Sequence, residues 1–215
     1  MSRSTVVRVA LCALLATPAL VHAQIATSRP GFQEGTTVVP RGMVQVEFGV
    51  AGTRKGSGVS RVTTLAFPTL VRVGVTPRFE LRAGSDVWAR VRTRFDTFEG
   101  VADLTVGAAW QAAPAQAGRA EIALVTLLDL PSGAEEVQRS GVRPRVLLPM
   151  AWSLPDGVTL SIMPGLMYDQ VVNAQLRNDR FLSAILAGGA GVALGGGASG
   201  FGELAGEALP LATGP

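Results

Sequence analysis

The feature that most constrains this chain is a two-residue alternation between apolar and polar side chains. It is clearest over residues 79–92, where one face carries seven apolar or small side chains and the other carries five charges. Successive side chains of a β-strand point to opposite faces of the sheet, so this period predicts a strand with two chemically different sides. Helical periodicity is hard to find after residue 42. The pattern therefore predicts an all-β fold.

The same pattern, together with turn signals, predicts nine strands. Most have ten residues or more, whereas strands of soluble sandwiches usually have about five or six, and a strand that crosses a bilayer needs roughly nine to eleven. Thr76-Pro77-Arg78 and Leu154-Pro155-Asp156-Gly157 predict short links, and the polar stretches elsewhere are longer. The candidate strands are residues 42–51, 62–75, 79–92, 100–112, 119–130, 142–153, 157–169, 180–194 and 198–209.

Short turns at one end and long loops at the other are typical of outer-membrane barrels. We therefore predict an antiparallel up-and-down transmembrane β-barrel of the bacterial outer membrane, and a soluble periplasmic β-sandwich is the alternative. Single-chain bacterial barrels have even strand numbers. The odd count predicts that either one strand is miscounted or the closing strands at the C-terminus are missing.

Two features within the candidate strands complicate this prediction. Residues 181–202 carry no charge over 22 positions, which is long enough for a membrane helix. Eight of the 22 are glycines, including the run 195–197, so we expect a hairpin instead. Pro68, Pro149 and Pro164 cannot donate to a strand ladder, and they predict strand ends or bulges.

The first 23 residues have the layout of a secretory signal peptide. Arg3 and Arg8 precede an apolar run from Val9 to Leu20, and Val21-His22-Ala23 fits a cleavage site. We expect cleavage after residue 23, an N-terminal segment over residues 24–41, a barrel domain over residues 42–209 and a tail over residues 210–215. The secretory pathway would export the protein to the outer membrane.

Removal of the signal peptide changes the chemistry that remains. His22 and Cys12 are the chain's only histidine and cysteine, and both leave with residues 1–23. The mature chain then cannot form a Ser-His-Asp triad, a Cys-His pair or a zinc site of the Cys/His type. A two-carboxylate glycosidase site stays formally open, but general acid-base catalysis most often uses His. We therefore expect no enzyme activity, no metal and no cofactor.

Nucleic acid is a poor partner for the mature chain. It retains 17 basic and 16 acidic residues, and its longest basic run is Arg54-Lys55. Binding to the phosphate backbone needs a surplus of positive charge.

The charges on alternating faces are the candidate functional residues. In a barrel they would point into the lumen, where arginines and carboxylates pair and set the field that solutes meet. The alternative is that these pairs fill a narrow barrel and only hold its shape. The predicted lumen-facing residues are Glu47, Arg72, Glu80, Arg82, Asp86, Arg90, Arg92 and Asp103.

Four stretches carry a family resemblance: RPGFQEGTTVVPRGMVQVEFG (29–49), PTLVRVGVTPRFELRAG (68–84), GVADLTVGAAW (100–110) and LPSG (130–133). In this order they resemble the outer-membrane transporters named for the meta-pathway of phenol degradation. The resemblance implies a barrel that acts as a channel for small, often hydrophobic or aromatic compounds. Members of that family are longer, with more strands and an aromatic residue at the end of the final strand, whereas this chain ends in ALPLATGP (208–215).

The expected partners follow from this interpretation. They are outer-membrane lipid, a small solute whose identity the residues do not specify, and the barrel-assembly machinery during insertion. Two other functions stay open: a non-conducting structural barrel in the outer membrane, and a soluble periplasmic binding protein.

Overall fold

A computed structural model describes residues 32–137, 141–172, 178–196 and 198–213. These residues form twelve β-strand segments and two single-turn 3-10 helices, Gly58–Ser60 and Pro155–Gly157. The described part of the chain contains no helix that is long and apolar enough to cross a membrane. The predicted signal peptide, residues 1–23, lies outside the described residues. The all-β prediction is confirmed.

The strand segments are β1 Val44–Phe48, β2 Ala51–Lys55, β3 Val62–Thr76, β4 Phe79–Arg92, β5 Thr97–Gly100, β6 Leu104–Ala113, β7 Glu121–Leu130, β8 Arg143–Leu147, β9 Met150–Ser153, β10 Val158–Val172, β11 Asn178–Gly195 and β12 Ala198–Thr213. They form one antiparallel sheet in the order β1-β3-β4-β6-β7-β8-β10-β11-β12.

The twelve segments make nine up-and-down passes. β1 and β2 both pair with β3, β5 and β6 both pair with β4, and β8 and β9 both pair with β7 and β10. Each of these couples is therefore one pass with an interruption. The nine passes correspond to the nine candidate strands. The helix considered over residues 181–202 is wrong, because residues 181–195 belong to β11 and residues 198–202 belong to β12.

Two of the three prolines lie at irregular places, as predicted. Pro149 separates β8 from β9, and Pro68 lies beside a register shift between β3 and β4. Pro164 differs, since it lies inside the continuous strand β10. Its carbonyl accepts a hydrogen bond from the Leu148 N–H at 2.9 Å, so the strand keeps its contact with the neighbouring pass.

The two ends of the sheet differ in their connections. At one end, which we call the turn end, residues 77–78, 114–120 and 154–157 link consecutive passes, and the chain also enters β1 there. At the opposite end, which we call the loop end, the connections include residues 56–61, residues 93–96 and the longer stretch 131–142.

Residues 32–40, which we call the inner segment, lie across one face of the sheet. The Phe32 N–H donates to Oε2 of Glu203 on β12 at 2.6 Å, and the Thr37 carbonyl accepts from Arg72 on β3 at 2.7 Å. The five-residue step from Phe32 to Thr37 spans at most about 18 Å. In a flat sheet, the strands that these two residues contact, β12 and β3, would be seven strand spacings apart, about 34 Å. The sheet therefore curls around the inner segment.

The concave face has a dry part beneath the inner segment. Its buried side chains come from five neighbouring strands and are at most 6% exposed, and Val38 of the inner segment packs against them. They are Ala109, Val125, Leu127, Leu147, Met163 and Ala187.

The pairings among the described residues do not join β1 to β12. Because the sheet has nine passes, the first and last passes run in the same direction. Direct pairing of these two edges would therefore be parallel, unlike every other pairing in the sheet.

Candidate functional site

A chain of buried ion pairs connects β1, β3 and β4 on the inner face. Arg72 is 1% exposed, and its guanidinium lies 3.0 Å from Oε1 of Glu47 and 2.8 Å from Oε1 of Glu80. Arg82 bonds the same Glu80 oxygen through Nε, and its Nη1 donates to Oε2 of Glu34 at 2.7 Å. Buried charges need such partners, because an unpaired ion in the interior is costly. We call these five residues the first ion cluster.

Backbone groups of the inner segment complete this cluster. The Val39 N–H donates to Oε2 of Glu80, so this carboxylate bonds the segment as well as both arginines. Gly74 on β3 allows the close approach, since a Cβ there would collide with the Val39 and Pro40 carbonyl oxygens. The inner segment is thus bound through charge, hydrogen bonds and fit.

A second ion cluster lies on the neighbouring strands β7, β8 and β10. Nη2 of Arg145 is 2.7 Å from Oδ1 of Asp129, and Nε of Arg143 is 2.6 Å from Oδ1 of Asp169. Arg143 also approaches Asp129 at 3.8 Å, and the Thr105 hydroxyl donates to that carboxylate at 2.6 Å. The second ion cluster, Asp129, Arg143, Arg145 and Asp169, therefore links three passes.

A cavity of about 250 Å³ lies between the two clusters, on the loop-end side of the inner segment. Glu34 and Arg82 line it from the first cluster, and Asp129, Arg143 and Arg145 line it from the second. Ligand pockets usually measure about 300–1,000 Å³, so this cavity is smaller than a typical ligand pocket and has room only for a small molecule.

Asp86 and Asp103 also line the cavity, in different settings. Asp86 is half-buried, and its backbone carbonyl accepts from the Ala102 N–H at 2.9 Å. The Asp103 carboxylate accepts from the N–H groups of Ser132 and Gly133 at 3.2 and 3.0 Å. Asp103 thus stabilises the start of the loop after β7 at the rim of the cavity.

Arg90 and Arg92 do not lie on the inner face, so their predicted placement is wrong. Between the pairs Pro68–Asp86 and Ala66–Ala89, β4 advances by three residues while β3 advances by two. This extra residue is a β-bulge, and it reverses which side chains of β4 point inward. Arg90 is exposed beyond the bulge, pairs with Glu99 at 2.7 Å and lies over the Trp88 ring at 5.1 Å.

Sequence reasoning did not single out Glu34 or the second ion cluster as functional residues. Glu34 precedes the first strand, so alternation says nothing about its direction. On β7 both faces are apolar around Asp129, which removes the pattern that identified β4. Arg143 and Arg145 are two residues apart beside Pro144, and this spacing was the available signal for a charged face on β8.

Between its two ends, the outer face of the sheet is largely apolar. Val46 on β1 is 66% exposed and Leu204 on β12 is 72% exposed, although both lie within strands. Phe48, Phe67 and Trp88 form a row on this face, with ring centroids 5.9 and 5.5 Å apart.

The fold and the site define an all-β protein whose antiparallel up-and-down sheet has an ionic inner face and an apolar outer face. The chain belongs to the family described as "Putative MetA-pathway of phenol degradation", whose model matches residues 27–207. The resemblance drawn from the four sequence stretches is thereby confirmed. Searches of the curated proteins and of the solved structures found no match to this chain.

Proposed function

We propose that this protein is an outer-membrane β-barrel channel for small molecules. The observation that carries the proposal is the inversion of the two faces, with ion pairs buried inside and large apolar side chains exposed outside. Soluble monomers rarely expose contiguous apolar patches above a few hundred Å². Hydrocarbon is the natural solvent for such a surface, and an antiparallel sheet that closes into a barrel satisfies its backbone groups there.

The height of the apolar band supports this placement. On β4 the outward aromatic residues Phe79 and Trp88 are nine positions apart, which is about 30 Å along a strand and roughly 21 Å across a bilayer at 45° tilt. Transmembrane barrels have an apolar band of about 25 Å between two aromatic girdles. Arg78 immediately precedes Phe79, and Arg90 lies two residues after Trp88, so each arginine lies on the outer side of its aromatic neighbour.

Closure of the sheet is part of the proposal. Free strand edges are costly in hydrocarbon, so β1 and β12 need partners there. Parallel pairing between the two edges would meet this need, and odd-stranded barrels are known in mitochondria. Secretory export, assisted insertion and contact with outer-membrane lipid follow from this placement.

The solute class comes from the family and from the size of the interior. The family description refers to phenol degradation, which suits small aromatic compounds. The cavity between the ion clusters has room for a single small molecule, and the inner segment narrows the passage beside it. We propose passage of such compounds rather than catalysis.

Planar-bilayer recordings test the proposal directly. The full chain is refolded from denaturant, and compact folding is checked by heat-modifiable migration on a detergent gel. Stepwise conductance, together with faster uptake of phenol into protein-containing vesicles than into empty ones, would support a channel. Heat-modifiable protein that gives neither conductance nor uptake would contradict it.

A non-conducting barrel is the second candidate, and the filled interior favours it. The inner segment and the dry side chains beneath it occupy the concave face near the turn end. Deletion of residues 32–40 distinguishes the two functions. Conductance that rises on deletion supports a restricted channel, whereas a deletion variant that folds and still conducts nothing supports a structural role.

A further inference from the structure

The outer face at the loop end carries a group of basic side chains that the channel proposal does not use. Three are on adjacent passes, because Thr63 of β3 pairs with Arg54 of β2 on one side and with Arg92 of β4 on the other, and Arg90 lies two residues from Arg92. We call this group the basic rim. Its members are Arg54, Arg90 and Arg92 on the strands, with Arg61 and Arg94 in the adjoining connections.

The register gives the spacing of the rim. Arg54 and Arg92 are two strand spacings apart, about 10 Å, and Arg90 lies about 7 Å from Arg92 along the strand. All three side chains share the outer face with Thr63 and Leu65. Asp96 and Glu99 are the acids on the adjoining loop and strand, and Glu99 pairs with Arg90. Positive charge therefore exceeds negative charge across this patch.

The rim lies immediately beyond the aromatic row. Phe48 stacks on Phe67, the Trp88 ring is tilted against Phe67, and the Arg90 guanidinium lies over the Trp88 ring. Aromatic side chains prefer the boundary between hydrocarbon and headgroups, so the next residues outward lie at headgroup depth. An excess of arginine at that depth attracts anionic headgroups. A guanidinium group can bind a phosphate through two parallel N–H···O hydrogen bonds.

We propose that the basic rim binds phosphate groups of the glycolipid that forms the outer leaflet of the outer membrane. The inference rests on the proposed membrane function and on the loop end facing outward, as the long loops of bacterial barrels do. The bound lipid would hold the barrel at a fixed depth through ionic contacts with Arg54, Arg90 and Arg92. Its acyl chains would lie against the aromatic row and the apolar outer face.

The experiment uses the full chain refolded in phosphatidylcholine vesicles. Fluorescently labelled lipid A with both phosphates is titrated against its dephosphorylated form, and binding is followed by energy transfer from tryptophan. Each basic residue near an anionic lipid surface contributes about a factor of five. The variant Arg54→Gln/Arg90→Gln/Arg92→Gln should bind phosphorylated lipid A roughly 100-fold more weakly, and wild type should prefer the phosphorylated form.

The matched control is Arg78→Gln/Arg119→Gln, which removes basic residues from the turn end. Its affinity for phosphorylated lipid A should stay within about twofold of wild type, since electrostatic attraction falls off within a Debye length. Equal binding of both lipid forms, or equal loss in the control, would overturn the proposal. Complete competition by millimolar inorganic phosphate, or tighter binding of a soluble acidic peptide, would also overturn it.

Failure of the channel proposal gives a different result. A wild-type chain that does not insert into neutral vesicles contradicts the membrane function itself. Insertion with conductance, but without preference for phosphorylated lipid, contradicts the basic rim alone.

Discussion

Arg82 Nη1 donates to Oε2 of Glu34 at 2.7 Å, and this ion pair joins the inner segment to β4 within the curl of the sheet. Arg82 also bonds Glu80, and Glu80 in turn accepts from the Val39 N–H. One arginine therefore contacts the inner segment directly and through a shared carboxylate. In the proposed channel, the width of the passage would therefore depend on how firmly this segment is held.

Glu34→Gln should loosen the inner segment. The amide keeps the shape of the side chain but loses the charge, and a buried hydrogen bond to a charged group contributes about 1.5–3 kcal/mol. We expect lower stability by about 1–3 kcal/mol and longer or more frequent open events in single-channel recordings. Glu136→Gln, at an exposed position in the loop after β7, is the control and should change neither quantity. Unchanged gating in Glu34→Gln would show that this ion pair does not restrict the passage.

Arg72→Gln should be more damaging, because Arg72 separates two buried carboxylates. Its loss leaves Glu47 and Glu80 without their shared cation, and removing one partner of a buried ion pair costs about 3–5 kcal/mol. Urea unfolding in vesicles, followed by tryptophan fluorescence, measures the change. Arg54→Gln, at an exposed position, should alter stability by less than about 0.5 kcal/mol. Similar effects of the two substitutions would contradict a stabilising role for the first ion cluster.

Gly74→Ala tests the fit between β3 and the inner segment without changing any charge. A Cβ at Gly74 would overlap the carbonyl oxygens of Val39 and Pro40, and backbone atoms cannot move aside cheaply. We expect displacement of the inner segment, seen as faster proteolysis within residues 32–40. Gly52→Ala on β2 is the matched control, because no atom lies within 4 Å of its added Cβ. Equal proteolysis of both variants would mean that the close contact at Gly74 does not hold the inner segment in place.

Much of the sheet could be predicted because its two faces meet different surroundings. Where polar and apolar side chains alternate, as on β1 and β4, the inward direction of Glu47, Glu80 and Arg82 follows from the sequence alone. The predicted strand over residues 79–92 matches β4 at both ends.

The remainder depends on geometry that alternation does not encode. One extra residue in the bulge of β4 turns Arg90 and Arg92 outward. The alternating sequence pattern alone does not reveal where a strand contains such an extra residue. The position of Glu34 depends on contacts across the curled sheet, between residues 48 positions apart in the chain. The pairing of Asp129 with Arg143 and Arg145 similarly depends on the register between β7 and β8.

Val46→Arg distinguishes a membrane barrel from a soluble protein. Val46 is 66% exposed on the outer face, and through Val71 it lies in the same row as Ala83, midway between Phe79 and Trp88. At the midplane of a bilayer, an outward arginine costs about 2–4 kcal/mol, so the refolded fraction in vesicles should fall sharply.

Val59→Arg is the control for this substitution, since Val59 is 60% exposed in the connection at the loop end, outside the apolar band. If both positions were exposed to water, arginine at either one should change the free energy of unfolding by no more than about 0.5 kcal/mol. In a bilayer only Val46→Arg should impair folding, and the heat-modifiable band on a detergent gel measures this. If both variants fold in vesicles as well as wild type, the row through Val46 does not face lipid. An arginine at position 46 would in that case lie in water and would not impair folding.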